Sequence, residues 1–376
     1  MLRRIVKSGL AAGLAGIGAD SWIGAWNGAS RRPLVVGYHR VVADYAASVG
    51  TSLPGMIIGT AMLEAHLDWI ARRYAIKTLE EVGALLATGA PLEKPVAAVT
   101  FDDGYADVYE NAVPLLHRKG IPATVFVVTD IVGTERLNLH DSLYLLLTRF
   151  FADRANAGAD LARLFARAGL GTLDARPPAH DAFAMLGLLL HRLPRAQVLL
   201  LADALEAEIG IERDESTRLR SLSWPMLRAM QARGIEIGSH GRTHALLPNE
   251  TERTMRDELV LSRLTLEHEL EIPVRTFAYP GGHWNAPAVS AVAAAGYSYG
   301  FTICGHVDRR HPLLTISRRM LWEGSCVDGS SGFSAAVMGC QARGVFDLVQ
   351  GCRSGGHATP KHAASGQFVP TREARR

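Results

Sequence analysis

Two adjacent aspartates and a glycine, Asp102–Asp103–Gly104, end a run of apolar residues at Val96–Phe101. Carboxylates placed side by side raise each other's proton affinity unless a cation or hydrogen bonds separate their roles. A second apolar run, Ile235–Gly238, also ends in polar residues: Ser239, His240, Gly241, Arg242, Thr243 and His244. The H-x-x-x-H spacing puts both imidazoles on one face of a helical turn or tight loop, which suits two ligands of one divalent metal. With an aspartate from another strand end they make a His2Asp set with room for water and substrate, the layout of a catalytic metal site. One aspartate then stays ionised on the metal. Its neighbour can act as general base toward a water whose pKa the cation has lowered. A third stretch, "FAYPGG", offers consecutive backbone amides at Gly281 and Gly282, which could receive the charge that develops on a carbonyl oxygen under attack. Each piece taken alone has an ordinary reading: an Asp-Gly turn, two incidental histidines, a Pro-Gly turn.

These groups need a scaffold that brings several strand ends to one edge. Leu34–Tyr38 reads as a first buried strand, followed by helical spacing at Met62, Leu63, His66, Leu67 and Ile70. A short strand and a helix ended by Gly89 come next, then the Val96 strand, a Tyr105–His117 helix and the β-rich "IPATVFVV". Strand and helix alternate, which predicts βα units around a parallel sheet. From about Asp141 to Leu219 the pattern changes to Leu/Ala/Arg-rich helical segments, an insertion in the α/β scaffold. Alternation then resumes through "IEIGSH", "VRTFAYP" and "YSYGFTI". In parallel α/β architectures functional groups gather at the C-terminal ends of strands, where all three stretches lie.

The 376 residues are 48% hydrophobic and 20% charged, enough for a sizeable core. A formal charge of +3 without a basic stripe argues against a nucleic-acid partner. Cys304, Cys326, Cys340 and Cys352 contain no CxxC pair, so neither a zinc knuckle nor a disulfide-dense scaffold is expected. Residues 1–32 begin with a basic "MLRRIVK" and continue into a glycine-diluted apolar run that soon meets Asp20. The run is too short to span a bilayer. It reads as a membrane-surface segment or as a helix packed on the domain, which favours a cytoplasmic or inner-membrane-peripheral placement over secretion. The polar, Gly- and Pro-rich end of the 326–376 extension reads as disordered.

"TFDDGYADVYENAVPLL", "SH-x-x-TH" and "FAYPGG", in this order, resemble the polysaccharide deacetylase family (NodB homology domain, carbohydrate esterase family four) over roughly Leu34–Leu321. "VGYHRV" is similar to the opening of bacterial members linked to exopolysaccharide synthesis. The resemblance implies a distorted (β/α) barrel over residues 33–325, with parallel strands and the helical insertion. It also implies a divalent metal, usually zinc, and removal of acetyl groups from N-acetylated sugars. By position, Asp102 would be the base and Asp103, His240 and His244 the metal ligands. The backbone N–H at Gly281 would serve the oxyanion, and Tyr105 and Trp224 would line or support the groove. Three positions depart from the family: Gly281 replaces a common aromatic, Ala278 stands where an arginine steadies the base, and the general-acid histidine has no clear counterpart. Arg275 is the substitute offered for that arginine, and His39 or His283 for the acid. Arg318 and Arg319 cannot shuttle protons, because arginine stays charged.

The implied partner is an acetylated polysaccharide or oligosaccharide. Two other readings share the barrel: a glycan binder without turnover, which would not need Asp102, and a cyclic-amide hydrolase. Trp69, Trp284 and Trp322 could stack on sugars, although single tryptophans more often belong to a core or rim.

Overall fold

The computed structural model describes residues 2–347, except 90, 91, 93, 153, 155, 171–180 and 212–216. Helices α1 (Leu2–Gly16) and α2 (Ala19–Trp26) lead into β1 (Leu34–Tyr38). The short β2 (Arg40–Val42) and β3 (Ile57–Gly59) pair with each other around the one-turn α3 (Tyr45–Ser48). Then come α4 (Thr60–Ala71), β4 (Ala75–Ile76), α5 (Leu79–Thr88), β5 (Val96–Phe101), α6 (Val113–Lys119) and β6 (Thr124–Val127). Four helices follow: α7 (Leu139–Ala152), α8 (Ala157–Arg167), α9 (Ala182–Arg192) and α10 (Arg195–Ile209). Alternation resumes with α11 (Trp224–Gln231), β7 (Glu236–Ser239), α12 (Glu252–Leu270), β8 (Thr276–Ala278), α13 (Ala286–Ala294) and β9 (Tyr299–Thr302). The described chain ends with β10 (Ile316–Ser317), β11 (Arg319–Met320) and α14 (Ala335–Ala342).

Every ladder of the main sheet is parallel, in the order β10-β9-β8-β7-β6-β5-β1-β11, with β4 on β5. Its two edges belong to one short segment. Ile316 and Ser317 pair with β9, whereas Arg319 and Met320 pair with β1. Residues 316–320 therefore join both edges and close the sheet into a barrel, with Arg318 at the crossing.

Side chains alternate across each strand. Val35, Ala98, Phe126, Ala278 and Phe301 fill the interior with Leu79 and Val82 of α5. Val36, Val99, Phe101, Val125, Ile237 and Phe277 face outward to the helices. Burying such a side chain contributes on the order of 1.5–3 kcal/mol. On the inner face Gly238 has no substitute: a Cβ there would lie 2.6 Å from both the Phe126 ring and Thr276 Oγ1.

The four consecutive helices have a core of their own, in which Leu146 and Phe150 of α7 meet Leu161, Leu189 and Leu201. Helices α1 and α2 pack on α14 and its flank, joining Ala11, Leu14 and Ile23 to Val337 and Cys340. Cys326 and Cys340 are buried thiols outside any bridge; Cys352 and the polar tail expected to be disordered lie outside the described residues. No described helix is long and apolar enough to cross a membrane.

Candidate active site

The inner-face alternation runs one residue past the strands and delivers the polar groups. On β5 it continues from Thr100 to Asp102, on β7 from Gly238 to His240, and on β1 from Gly37 to His39. Asp102 N–H donates to Tyr38 O at 2.9 Å and His240 N–H to Val127 O at 2.9 Å, so the ladders extend with them. The backbone then turns left-handed at Asp103 (φ 69°) and Gly104 (φ 67°), and again at His244 (φ 63°). Asp103 and His244 are two of only four non-glycine residues with positive φ among the described residues. Such strain, on the order of 1 kcal/mol or more per residue, persists where surrounding structure fixes it and is concentrated at functional sites. Here Glu258 accepts from Thr243 N–H (2.8 Å) and Oγ1 (2.6 Å), and Arg195 Nε donates to Thr243 O (2.9 Å).

Asp102 is clamped by Arg318, whose two terminal nitrogens donate to its two oxygens at 2.6 Å each. Arg318 also reaches Thr100 Oγ1 at 3.1 Å. Burial alone would raise the Asp102 pKa; Arg318 and His240 outweigh it and hold the carboxyl below its ordinary range. Barrel closure thus fixes a buried, ionised carboxylate. Arg275, offered from sequence for this task, is elsewhere. It precedes β8, at the opposite end of the barrel, and is exposed beside Glu80.

Asp103 has no such clamp. Its carboxylate is buried, and neither oxygen has a hydrogen-bond donor among the described residues. His240 Nε2 lies 3.4 Å and His244 Nε2 3.3 Å from Oδ1. His240 Nδ1 must carry its proton, because it faces the Ala278 carbonyl at 2.8 Å. In the neutral ring the Nε2 lone pair therefore points toward a carboxylate oxygen, acceptor against acceptor. Only a cation between them, a proton or a metal, resolves that arrangement. The same electrostatics shift the titrations. Burial opposes the charged forms, yet His140, His240 and His244 pull Asp103 well below its ordinary pKa. Asp102 and Asp103 likewise raise His240 against its own burial. The ligand atoms of Asp103, His240 and His244 lie within 4.8 Å of one another, a set that fits a divalent ion.

The comparisons with known proteins agree with this geometry. A family model described as polysaccharide deacetylase matches residues 89–300, more than half of the chain. The chain belongs to the polysaccharide deacetylase family. A Staphylococcus aureus protein named poly-beta-1,6-N-acetyl-D-glucosamine N-deacetylase is 30% identical over 116 residues, 29% of this chain and 39% of that protein. The chain spans less than half the length of the curated relatives it matches first. Among solved structures, IcaB from Ammonifex degensii covers 83% of this chain and 97% of its own, at 19% identity and a TM-score of 0.51. BC0361, a polysaccharide deacetylase from Bacillus cereus, covers 83% and 69% at 18% identity and a TM-score of 0.50. At those identities the likeness is one of fold: a parallel sheet nearly closed into a (β/α) barrel.

Around Asp102, Asp103, His240 and His244 the candidate site is built as follows. His39 is half-buried and faces Asp102, Asp103, His240 and Arg318; burial lowers its pKa against the pull of the carboxylates. Gly281 has φ 61°, and a Cβ there would meet His283 Cδ2 and Leu246 Cδ2 at 3.1 Å. Those side chains occupy the space that an aromatic would need. His283 packs edge-on against His191 of α9, ring centroids 4.5 Å apart, so it joins the turn to the helical block. Trp224 begins α11, half-buried against the main core and beside Gly133. Trp69 and Trp284 are buried, and Trp322 is exposed.

Tyr105 is buried beneath the site. Its hydroxyl donates to Asp141 Oδ2 at 2.7 Å and lies 3.0 Å from His140 Nε2. His140 was missed in the sequence. It belongs to α7 of the helical block, with Nε2 3.7 Å from Asp103 Oδ2 and its ring 4.8 Å from that of His244. Burial pushes His140 down to about 3 and Asp141 up to about 7. The block thus supplies neutral groups beside the charged Asp103.

Proposed function

We propose that this protein removes acetyl groups from an N-acetylated polysaccharide or sugar with the help of a divalent metal. The observation that carries this reading is the buried Asp103 carboxylate, without a donor of its own and faced by two imidazole nitrogens. Asp103, His240 and His244 would hold the ion, and zinc suits a His2Asp set best. When bound, the metal supplies Lewis acidity toward the acetyl carbonyl and lowers the pKa of water at the site.

The chain's own groups do the rest. Asp102, kept ionised by Arg318, takes a proton from the attacking water. The water oxygen bonds to the acetyl carbon, and the N–H of Gly281 receives the charge that develops on the carbonyl oxygen. The C–N bond then breaks. The nitrogen gains a proton and leaves as a free amine, and acetate remains. His39, neutral at rest and facing the same carboxylates, hands that proton on. An O-acetyl ester would give a hydroxyl by the same steps. The Staphylococcus aureus relative's name, which specifies an N-acetylated glucosamine polymer, supports an amide substrate.

The test is metal content and acetate release on one purified sample, with N-acetylglucosamine oligomers and a generic acetyl ester as substrates. About one equivalent of metal and release of acetate are expected. Protein that takes up no zinc on loading would end the metal reading. Bound metal without acetate from any acetylated glycan would end the hydrolase reading.

A further inference from the structure

The outer faces of α1 and α2 invert the usual arrangement of a packed helix pair. Toward α14 they present Ala11, Leu14, Ile23 and Gly24. Away from it they present Ile17, Trp22, Trp26, Val6 and Leu10, 81%, 80%, 76%, 61% and 57% exposed. These are the five most exposed large apolar side chains among the described residues. Val6 and Leu10 are four apart, as are Trp22 and Trp26, so each pair shares a helix face. A soluble surface rarely gathers its largest apolar groups in this way without something to cover them.

The charges say what covers them. Residues 1–33 contain Arg3, Arg4, Lys7, Arg31 and Arg32 against one acid, Asp20. Asp20 is turned inward, where it pairs with Arg343 at 2.5 Å. Arg4, Arg31 and Arg32 are exposed. Asp328 belongs to the loop that Arg4 contacts, but it is taken up by Ser330 and the Gly332 amide. The platform therefore combines tryptophans, aliphatic residues and uncompensated cations. A second copy of the same surface would set cation against cation, whereas a layer of anionic headgroups over hydrocarbon matches both halves.

We propose that α1 and α2 dock this protein on the surface of a bilayer containing anionic phospholipid, with Trp22 and Trp26 at the headgroup boundary. Helices lying in the interface bury their apolar face about 5–10 Å deep, and tryptophan is the residue most at home there. The inference is independent of the reaction, since none of these residues belongs to the catalytic cavity.

The test uses the full chain with two vesicle preparations, phosphatidylcholine alone and phosphatidylcholine mixed with phosphatidylglycerol. Co-sedimentation and the tryptophan emission maximum are read in parallel. The expected result is binding to the mixed vesicles with a blue shift, weakened by salt. Trp22→Ser/Trp26→Ser should lower partitioning roughly tenfold or more on both vesicle types. Arg31→Ser/Arg32→Ser should lower it about fivefold per charge, on the anionic vesicles alone. Thermal melting and acetate release from a soluble oligomer should be unchanged in both variants, which separates loss of docking from misfolding and from failure of the deacetylase reading. The proposal is overturned if wild type stays in the supernatant with anionic vesicles. It is equally overturned if the tryptophan variant binds them as well as wild type. A concentration-dependent dimer that the tryptophan variant abolishes, without vesicle binding, would assign the platform to a second copy instead.

Discussion

The strand ends and the helical block both reach the site, but they manage burial in opposite ways. At the strand ends the groups stay charged. Asp102 is buried yet ionised because Arg318 lies against both of its oxygens, and Asp103 is buried yet ionised beside the strand-end imidazoles of His240 and His244. On the helical side the groups stay neutral. His140 is pushed to about 3 and Asp141 to about 7, each mainly by loss of water. Desolvation acts on all four; what differs is whether an opposite charge is built into the neighbouring strand. The contrast divides the labour of the site. On the proposed reading, one wall provides charge for a metal and a base, and the other keeps neutral groups beside them without competing for the cation.

The comparison breaks most visibly if the charged wall is altered. Asp102→Asn should cut acetate release by about 10²–10⁴-fold while about one equivalent of metal remains bound. His240→Ala should lose the metal as well. An Asp102→Asn enzyme with near wild-type activity would remove Asp102 from the role of base. Arg318→Met comes next. It leaves a buried carboxylate without its cation, at a cost of about 3–5 kcal/mol in stability. The acidic limb of the pH–rate profile should also move upward, because the group that depressed Asp102 is gone. Arg318→Lys should restore part of both effects, and an unchanged acidic limb in Arg318→Met would show that Asp102 does not set it. The neutral wall should respond less. His140→Ala should weaken metal binding about tenfold, since His140 approaches the Asp103 oxygen that faces away from His240 and His244. Equal zinc affinity in wild type and variant would reduce His140 to packing.

What the sequence made legible follows the same line. Asp102, Asp103, His240 and His244 were readable because each motif is local, and because alternating strand patterns imply that strand ends share one edge. Arg318 was not. It stands 216 residues from Asp102, and their contact depends on residues 316–320 bridging both sheet edges, a long-range event that no local pattern encodes. Arg275 illustrates the converse error. It is close to Ala278 in sequence, but β8 puts it about 10 Å back along the strand direction, at the other mouth of the barrel. His140 offered no signal either, since a histidine near the start of a leucine-rich helix looks like any other. The run of helices was readable as an insertion from its composition. Its reach into the site at His140, Arg195 and His191 was a matter of packing.

The smallest effect tests the neutral wall directly, through the pH dependence of stability in chelator-treated protein. Burial raises Asp141 to about 7 and Asp107, beside Arg40, to about 6. Both values exceed the roughly 3.9 of an aspartate in the unfolded chain, so between these limits the folded state binds more protons. That contribution is complete below about pH 4 and is lost as pH rises through 6 and then 7. Asp102 and Asp103 act in the opposite sense. Their depressed values favour the folded state above about pH 4, and the benefit fades only as pH falls below that point. Melting temperature should therefore decline as pH rises from about 6.5 through 7 in wild type, above the range in which the neutral His140 and His66 (about 3 and about 4) act in the opposite sense. In Asp141→Asn, which keeps an oxygen able to accept from Tyr105, the decline should be shallower near pH 7. Parallel curves for the two proteins would mean that Asp141 is ionised in the folded state, and that the helical wall carries charge after all.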